Sequence, residues 1–371
     1  MKKLMTIALF ILFIGGLSFI NFTKKDAPFS EFENRPLAQF PKFTLERLID
    51  GSFTSEFETY VNDQFIGKTF WTGLKAKAEQ AIWKQENNGV YFGKERMLFE
   101  KPAEIPTQLM KNIDTVNQFQ LKNKDFPFIF VLAPTSIDLY PEILPLYAKT
   151  GMHAEIMDIV SGALSQDIRF IDPFNLLKKE KDSPIYFRTD HHWTTYGAFY
   201  TYQAIAEDMG FTANSFDDFQ IEQVSNQFYG TFYAKGNDLS IPPDVIDIFT
   251  LKKDMQYEVI ADRDVQLDGL YDKSFLNKRD QYAYFLGGNH AKTIITSSVE
   301  NGKKLLLIKD SYAHAMVPFL ANHFEEIHML DLRYYNASIQ QYIEENELTE
   351  GLILYNSPNF AKDASVLRLK Y

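Results

Sequence analysis

A chain of 371 residues, 45% hydrophobic and 23% charged, is long enough to bury a large core in one or two domains. Its formal net charge of −11 argues against nucleic acid as a partner, because phosphate binding needs a concentrated basic face. The lack of cysteine excludes disulfides, thiolate metal sites, a cysteine nucleophile and a lipoprotein anchor, while 33 phenylalanines and 20 tyrosines leave aromatic material for stacking on sugars.

The chain opens Met1-Lys2-Lys3, runs through mostly apolar residues from Leu4 to Phe22 and then meets Lys24 and Lys25. Those 19 residues suffice to span a bilayer as a helix. The leading lysines fit an N-in orientation, although the trailing pair weakens the asymmetry. Residues 1–25 therefore read as an uncleaved membrane anchor. A cleaved signal peptide is the alternative, but no convincing small-x-small site follows the run. Both readings put the remaining chain outside the cytoplasm.

Residues 26–90 read as an extended and helical N-terminal segment. Its first half, 26–50, holds three prolines and scattered charges and leads away from the membrane. Phe57, Tyr60, Val61 and Phe65 recur at helical spacing, as do Trp71, Leu74, Ala78 and Ile82. That predicts two amphipathic helices, or one interrupted near Gly67. The stretch 87–100 reads as a hairpin.

From residue 91 short apolar strands alternate with helices. A helix carrying Leu109, Ile113, Val116 and Phe119 leads into a strand at 126–134, and a helix around 152–164 leads into 167–173. A helix from about Thr195 to Met209 closes at Gly210. The strand 303–310 precedes a helix from Ala313, and a strand at 326–332, a helix from about 337 and a strand at 351–356 complete the run. This rhythm predicts an α/β fold with a mainly parallel sheet over 91–371. Residues 211–285, rich in Asp, Asn, Tyr and Phe, read as an insertion of loops and short strands over the sheet edge.

Two places carry chemistry. Ser311 follows a buried strand directly and opens a helix, at the sheet edge where such folds present active sites and where a helix N-terminus offers N–H groups to an oxyanion. Helix capping is the plain alternative. The stretch Asp190-His191-His192-Trp193 supplies a base and its orienter: in an extended segment Asp190 and His192, two apart, point the same way. His191 then faces away and is structural, and Thr194 or Thr195 caps the next helix. A metal site would need further ligands such as His290 or His314; no spacing resembles a zinc motif, and no metal or other cofactor is expected. Asn356, at a strand end, has an amide able to donate to an oxyanion, with a turn asparagine as the alternative. Arg333, just after a strand, suits an anionic or sugar group, or a surface salt bridge.

"TDHHWT" at 189–194 is the signature of the DHHW family, and "KDSYA" at 309–313 resembles the nucleophile block of SGNH (GDSL-type) hydrolases. Here the Asp-x-His pair precedes the serine, as in the permuted SGNH-like domains of the alginate O-acetylation proteins. The resemblance also takes in 33–43, 285–291, 331–336 and 352–356. It implies an SGNH-like (flavodoxin-like) three-layer fold with permuted catalytic blocks, a triad of Ser311, His192 and Asp190, and Asn356 as the oxyanion-hole asparagine. Lys309 departs from the pattern, standing where the block has glycine, and no glycine block is obvious between serine and asparagine.

The resemblance further implies an extracytoplasmic O-acetyltransferase acting on a cell-envelope or secreted polysaccharide through an acyl-serine. A membrane-bound O-acyltransferase (MBOAT-type) would be the partner that exports the acetyl group. A carbohydrate esterase would use the same residues with water as acceptor, and a non-catalytic polysaccharide-binding protein is a third reading. Tyr229, Phe232 and Tyr233 are candidate sugar stackers, with core packing as the alternative.

Overall fold

The computed structural model describes residues 2–262 and 264–370; Met1, the first residue of the expected anchor, lies outside them. Lys2–Thr23 form one helix that buries none of its residues, with mean hydropathy 2.2, long and apolar enough to cross a membrane. After a short helix, Leu45–Ile49, two longer ones, Ser52–Gln64 and Lys68–Ala81, break at Gly67, whose φ of +65° is the left-handed conformation glycine adopts without strain. The extended stretch before them is stapled across the first helix. Arg35 pairs with buried Asp63 at 2.6 Å, and Gln64 Nε2 donates to the carbonyls of Ala27 and Ala38.

The sheet has eight strands: β1 (Phe128–Ala133), β2 (Arg169–Ile171), β3 (Tyr257–Ala261), β4 (Val265–Gln266), β5 (Lys292–Ser297), β6 (Lys304–Lys309), β7 (Glu326–Leu330) and β8 (Glu350–Asn356). Their spatial order is β4-β3-β5-β7-β6-β8-β1-β2. The five strands from β7 to β2 pair in parallel, and β5, β3 and β4 add an antiparallel flank. The strands that read as apolar runs are the parallel ones, because helices cover both faces. Alternation feeds two cores. Ile129, Val131, Leu352 and Leu354 face one with Leu177, Trp193 and Phe199, whereas Phe130, Leu132, Ile353 and Tyr355 face the other with Val116, Val160 and Phe360.

The expected insertion divides. Its first part is a bulged hairpin, Phe219–Phe228 against Asp244–Leu251, with the helix Thr231–Gly236 between its strands. Its last part contains β3 and β4, which extend the sheet itself. The neighbouring strand β5 was not read from the sequence. Its "KTIITS" buries alternate residues and so carries only a short period-two pattern. The stretch 86–100 is two successive hairpins, not one.

Candidate active site

β6 ends in Lys309, and the chain turns through Asp310 and Ser311 into the helix Ala313–Leu320. The turn is held from below. Asp310, 1% exposed, accepts from Tyr312 N at 2.9 Å, Asn356 N at 2.9 Å, Asn356 Nδ2 at 2.8 Å and Asn359 Nδ2 at 3.1 Å. Half-buried Ser311 then projects into a cavity of about 680 Å³. Among the described residues, its N–H donates to no protein acceptor.

Residues 186–193 form a tight loop closed by a bridge between Tyr186 and Trp193. Asp244 fixes it by accepting from the backbone N–H groups of Arg188 at 2.8 Å and Thr189 at 2.7 Å. Within the loop, Asp190 Oδ1 lies 2.5 Å from His192 Nδ1, and His192 Nε2 lies 2.7 Å from Ser311 Oγ. Asp190 Oδ2 accepts from Thr231 N at 2.7 Å. Burial alone would raise the Asp190 carboxyl, but His191, His192 and the Thr231 N–H hold it well below the usual range. Burial, with His191 adding, pushes His192 down to about 4, so its imidazole is neutral at neutral pH and able to accept a proton. Tyr282 stacks flat on the His192 ring, centroids 3.6 Å apart at 7°, and donates from its hydroxyl to Ser311 O at 3.1 Å. Gly230 is required here: a Cβ on it would lie 2.2 Å from the Asp190 Cβ.

The structure thus brings Ser311, His192 and Asp190 into one hydrogen-bonded line and places other expected residues differently. His191 does not face away. The loop bends instead of running extended, so His191 also lines the cavity, its ring 3.8 Å from that of His192 and its Nδ1 2.8 Å from Thr231 Oγ1. Thr194, rather than Thr195, caps the helix Thr195–Ile205. Asn356 turns its amide to Asp310 and its Oδ1 to Asn359 N, and is not among the residues lining the cavity. Arg333 does line it, while holding Asp331 through Nε at 2.9 Å and NH2 at 2.6 Å and reaching Asn289 at 3.1 Å. Tyr229 lines the cavity; Phe232 and Tyr233 are buried behind it, Tyr233 packed on Tyr229 at 4.4 Å. Asp190, His191 and His192 lie close enough to share an ion, but each facing atom is already hydrogen-bonded within the protein. His290 stands outside the cavity, against Asp262, and His314 lines it with Nε2 on Lys309, so neither completes a set with these three.

Several wall residues escaped the sequence reading. Phe32, Glu33 and Arg35 bring the N-terminal segment into the cavity, Thr69 and Thr72 bring the second helix, and Arg279 stands 5.3–5.5 Å from the rings of Phe32, Tyr229 and Tyr233. No local pattern announces them, because they converge only through the packing of distant segments.

Residues 155–330 match the family model described as DHHW protein. A Pseudomonas aeruginosa relative named "Probable alginate O-acetylase AlgJ" is 27% identical over 171 residues, 44% of this chain and 43% of the relative. The chain therefore aligns with less than half the length of that relative. Among solved structures, a DHHW family protein from Eubacterium siraeum superposes with a TM-score of 0.65 at 22% identity, over 76% of this chain and 95% of that one. Bacillus cereus PatB1 with a sulfonyl adduct superposes with a TM-score of 0.62 at 25% identity, over 74% of this chain and 98% of that one.

Proposed function

We propose that this protein is an extracytoplasmic O-acetyltransferase that moves an acyl group onto a hydroxyl of a cell-envelope or secreted polysaccharide, with Ser311 as nucleophile, His192 as base and Asp190 as its orienter. The observation that carries this reading is the line Asp190–His192–Ser311, with 2.5 and 2.7 Å links, ending at a serine that opens into the cavity. Ser311 Oγ attacks the acyl carbonyl while His192 Nε2 takes its proton. The donor's leaving group departs with that proton; a sugar hydroxyl, deprotonated by His192, then attacks the acyl-serine carbonyl, and Ser311 Oγ leaves with the proton from His192. Similarity to a relative named for alginate O-acetylation supports transfer to a saccharide, and a relative that carries a sulfonyl adduct supports a reactive nucleophile in this fold. The Asp-x-His pair before the serine fits permuted SGNH-like blocks.

The helix Lys2–Thr23 serves as anchor, and exposed Phe40, Phe43, Ile49, Phe70, Leu74, Ile82 and Trp83 continue its apolar surface onto the N-terminal segment. A membrane-bound O-acyltransferase (MBOAT-type) supplying the acyl group fits that placement. The test is full-length protein incubated with p-nitrophenyl acetate, with and without an oligosaccharide acceptor. Acyl-Ser311 by intact mass and acetylated sugar are expected; acetate without acetylated sugar would make it an esterase. A wild type with no adduct and no turnover would remove the reading.

A further inference from the structure

We infer that His314 donates a hydrogen bond from Nδ1 to the oxyanion formed at Ser311, and that Lys309 and Asp331 fix the tautomer carrying that proton; this rests on the proposed role of Ser311 as nucleophile. Lys309 is 2% exposed at the end of β6, with Nζ 3.0 Å from Asp331 Oδ2 and 2.8 Å from His314 Nε2. An ammonium has only donors, so Nε2 must accept, and the neutral ring keeps its single proton on Nδ1. Burial lowers the Lys309 ammonium below its ordinary value, and the Asp331 carboxylate at 3.0 Å, itself held by Arg333, opposes that and favours the charged form. Burial first, and the Lys309 charge next, hold His314 well below the ordinary histidine value, which keeps the ring neutral.

Nδ1 is the free end. It has no protein partner among the described residues and is not among the buried polar atoms sealed without one. The ring is 2% exposed and lines the cavity, so the solvent reaching it is the cavity's. His314 lies three residues beyond Ser311, a spacing that puts two side chains on one helix face. Its ring is parallel to Tyr282, at 6.3 Å and 16°, the same tyrosine on which His192 stacks.

An oxyanion is held by two or more preorganised groups. Ser311 N–H is one, and the Asn356 amide is committed to Asp310. When Ser311 Oγ bonds to the carbonyl carbon, the C=O π electrons move onto oxygen and the serine proton goes to His192. Nδ1–H of His314 and N–H of Ser311 then hold that oxygen until the double bond re-forms and the leaving group takes the proton from His192.

The experiment follows acyl-Ser311 formation from p-nitrophenyl acetate by the full chain, in wild type and in His314→Asn, His314→Asp and His314→Leu. Asparagine keeps an N–H near the Nδ1 position, whereas aspartate and leucine place no donor there. The expected result is a roughly 100-fold slower acylation for Asp and Leu, with KM little changed, and Asn within roughly tenfold of wild type. Folded Asp or Leu variants acylating at the wild-type rate, or Asn falling as far as Leu, would overturn the inference while leaving Ser311 as nucleophile. A wild type that forms no acyl-Ser311 removes both. In parallel, ¹⁵N imidazole spectra should show His314 protonated on Nδ1 in wild type and losing that preference in Lys309→Met; an Nε2-protonated wild type would also overturn it.

Discussion

Among the described residues, two Ser, His and Asp sets are hydrogen-bonded, and the set of Ser311 lines the cavity of about 680 Å³. Besides Ser311, His192 and Asp190, the ring of His153 contacts Ser357 Oγ from Nδ1 and Asp172 Oδ1 from Nε2, both at 2.8 Å. Distances alone do not separate the two sets. In the second the ring is reversed, with serine on Nδ1 and the carboxylate on Nε2. Ser357 is completely buried at the start of a helix, and His153 stacks on Phe174. Ser311 faces the cavity, has an unpaired backbone N–H beside it and meets a base whose second nitrogen is held by a buried carboxylate. A nucleophile needs room for an acyl group and donors for its oxyanion, besides a base. His153 instead ties the helix that begins at His153 to the one that begins at Ser357, a packing duty.

Substitutions sharpen this contrast, from the largest expected effect downward. Ser311→Ala should lower acylation by about 10⁶-fold, whereas Ser357→Ala should leave it near wild type, measured as p-nitrophenolate release. Equal losses at the two serines would erase the distinction. Asp190→Asn should cost about 10⁴-fold by presenting the wrong imidazole tautomer to Ser311. Gly230→Ala drives a methyl into Asp190 and should cost roughly 100-fold in kcat with a native circular dichroism spectrum, because the orienter shifts without leaving.

The pH profile tests the same set. In the proposed mechanism the base is neutral His192, so the acylation rate should hold at neutral pH and fall as pH drops through about 4. A rate already halved near 6.5 would mean an ordinary, solvated imidazole. The sign for stability follows. The folded state takes up the His192 proton only near 4, whereas the unfolded chain takes it up near the ordinary histidine value of 6.5, so this residue's contribution to stability falls as pH drops across that window. The smallest effect belongs to the buried set: Ser357→Ala should cost about 1 kcal/mol in denaturant unfolding, the net worth of an ordinary hydrogen bond.

Much of the fold could be read along the chain. The parallel strands are continuous apolar runs and their helices carry a period near 3.6, so β1, β6, β7 and β8 fall close to their expected positions. β5 escaped because a short one-sided strand has little signal, and β3 and β4 were concealed in a stretch read as insertion. At the site, the i, i+2 spacing of Asp190 and His192 led to the right pairing through an incorrect backbone. The segment is bent, which is why His191 joined the cavity instead of leaving it.

What the sequence by itself determined is local: an apolar helix at the N-terminus, alternating strands and helices, a serine at a strand-to-helix turn, and a histidine two residues from an aspartate. Tertiary structure decided which partner each polar group found. Asn356 went to Asp310 because a carboxylate buried beneath the turn must collect donors wherever the packing supplies them. Lys309 can be buried at the end of β6 because Asp331 and His314 lie within reach of its amine. The cavity wall joins residues 32–35, 229–231 and 279–283, which no periodicity connects. Hydrophobic pattern acts over a few residues of chain, but the satisfaction of buried charge acts over a few ångströms of space, and only folding makes those the same neighbours.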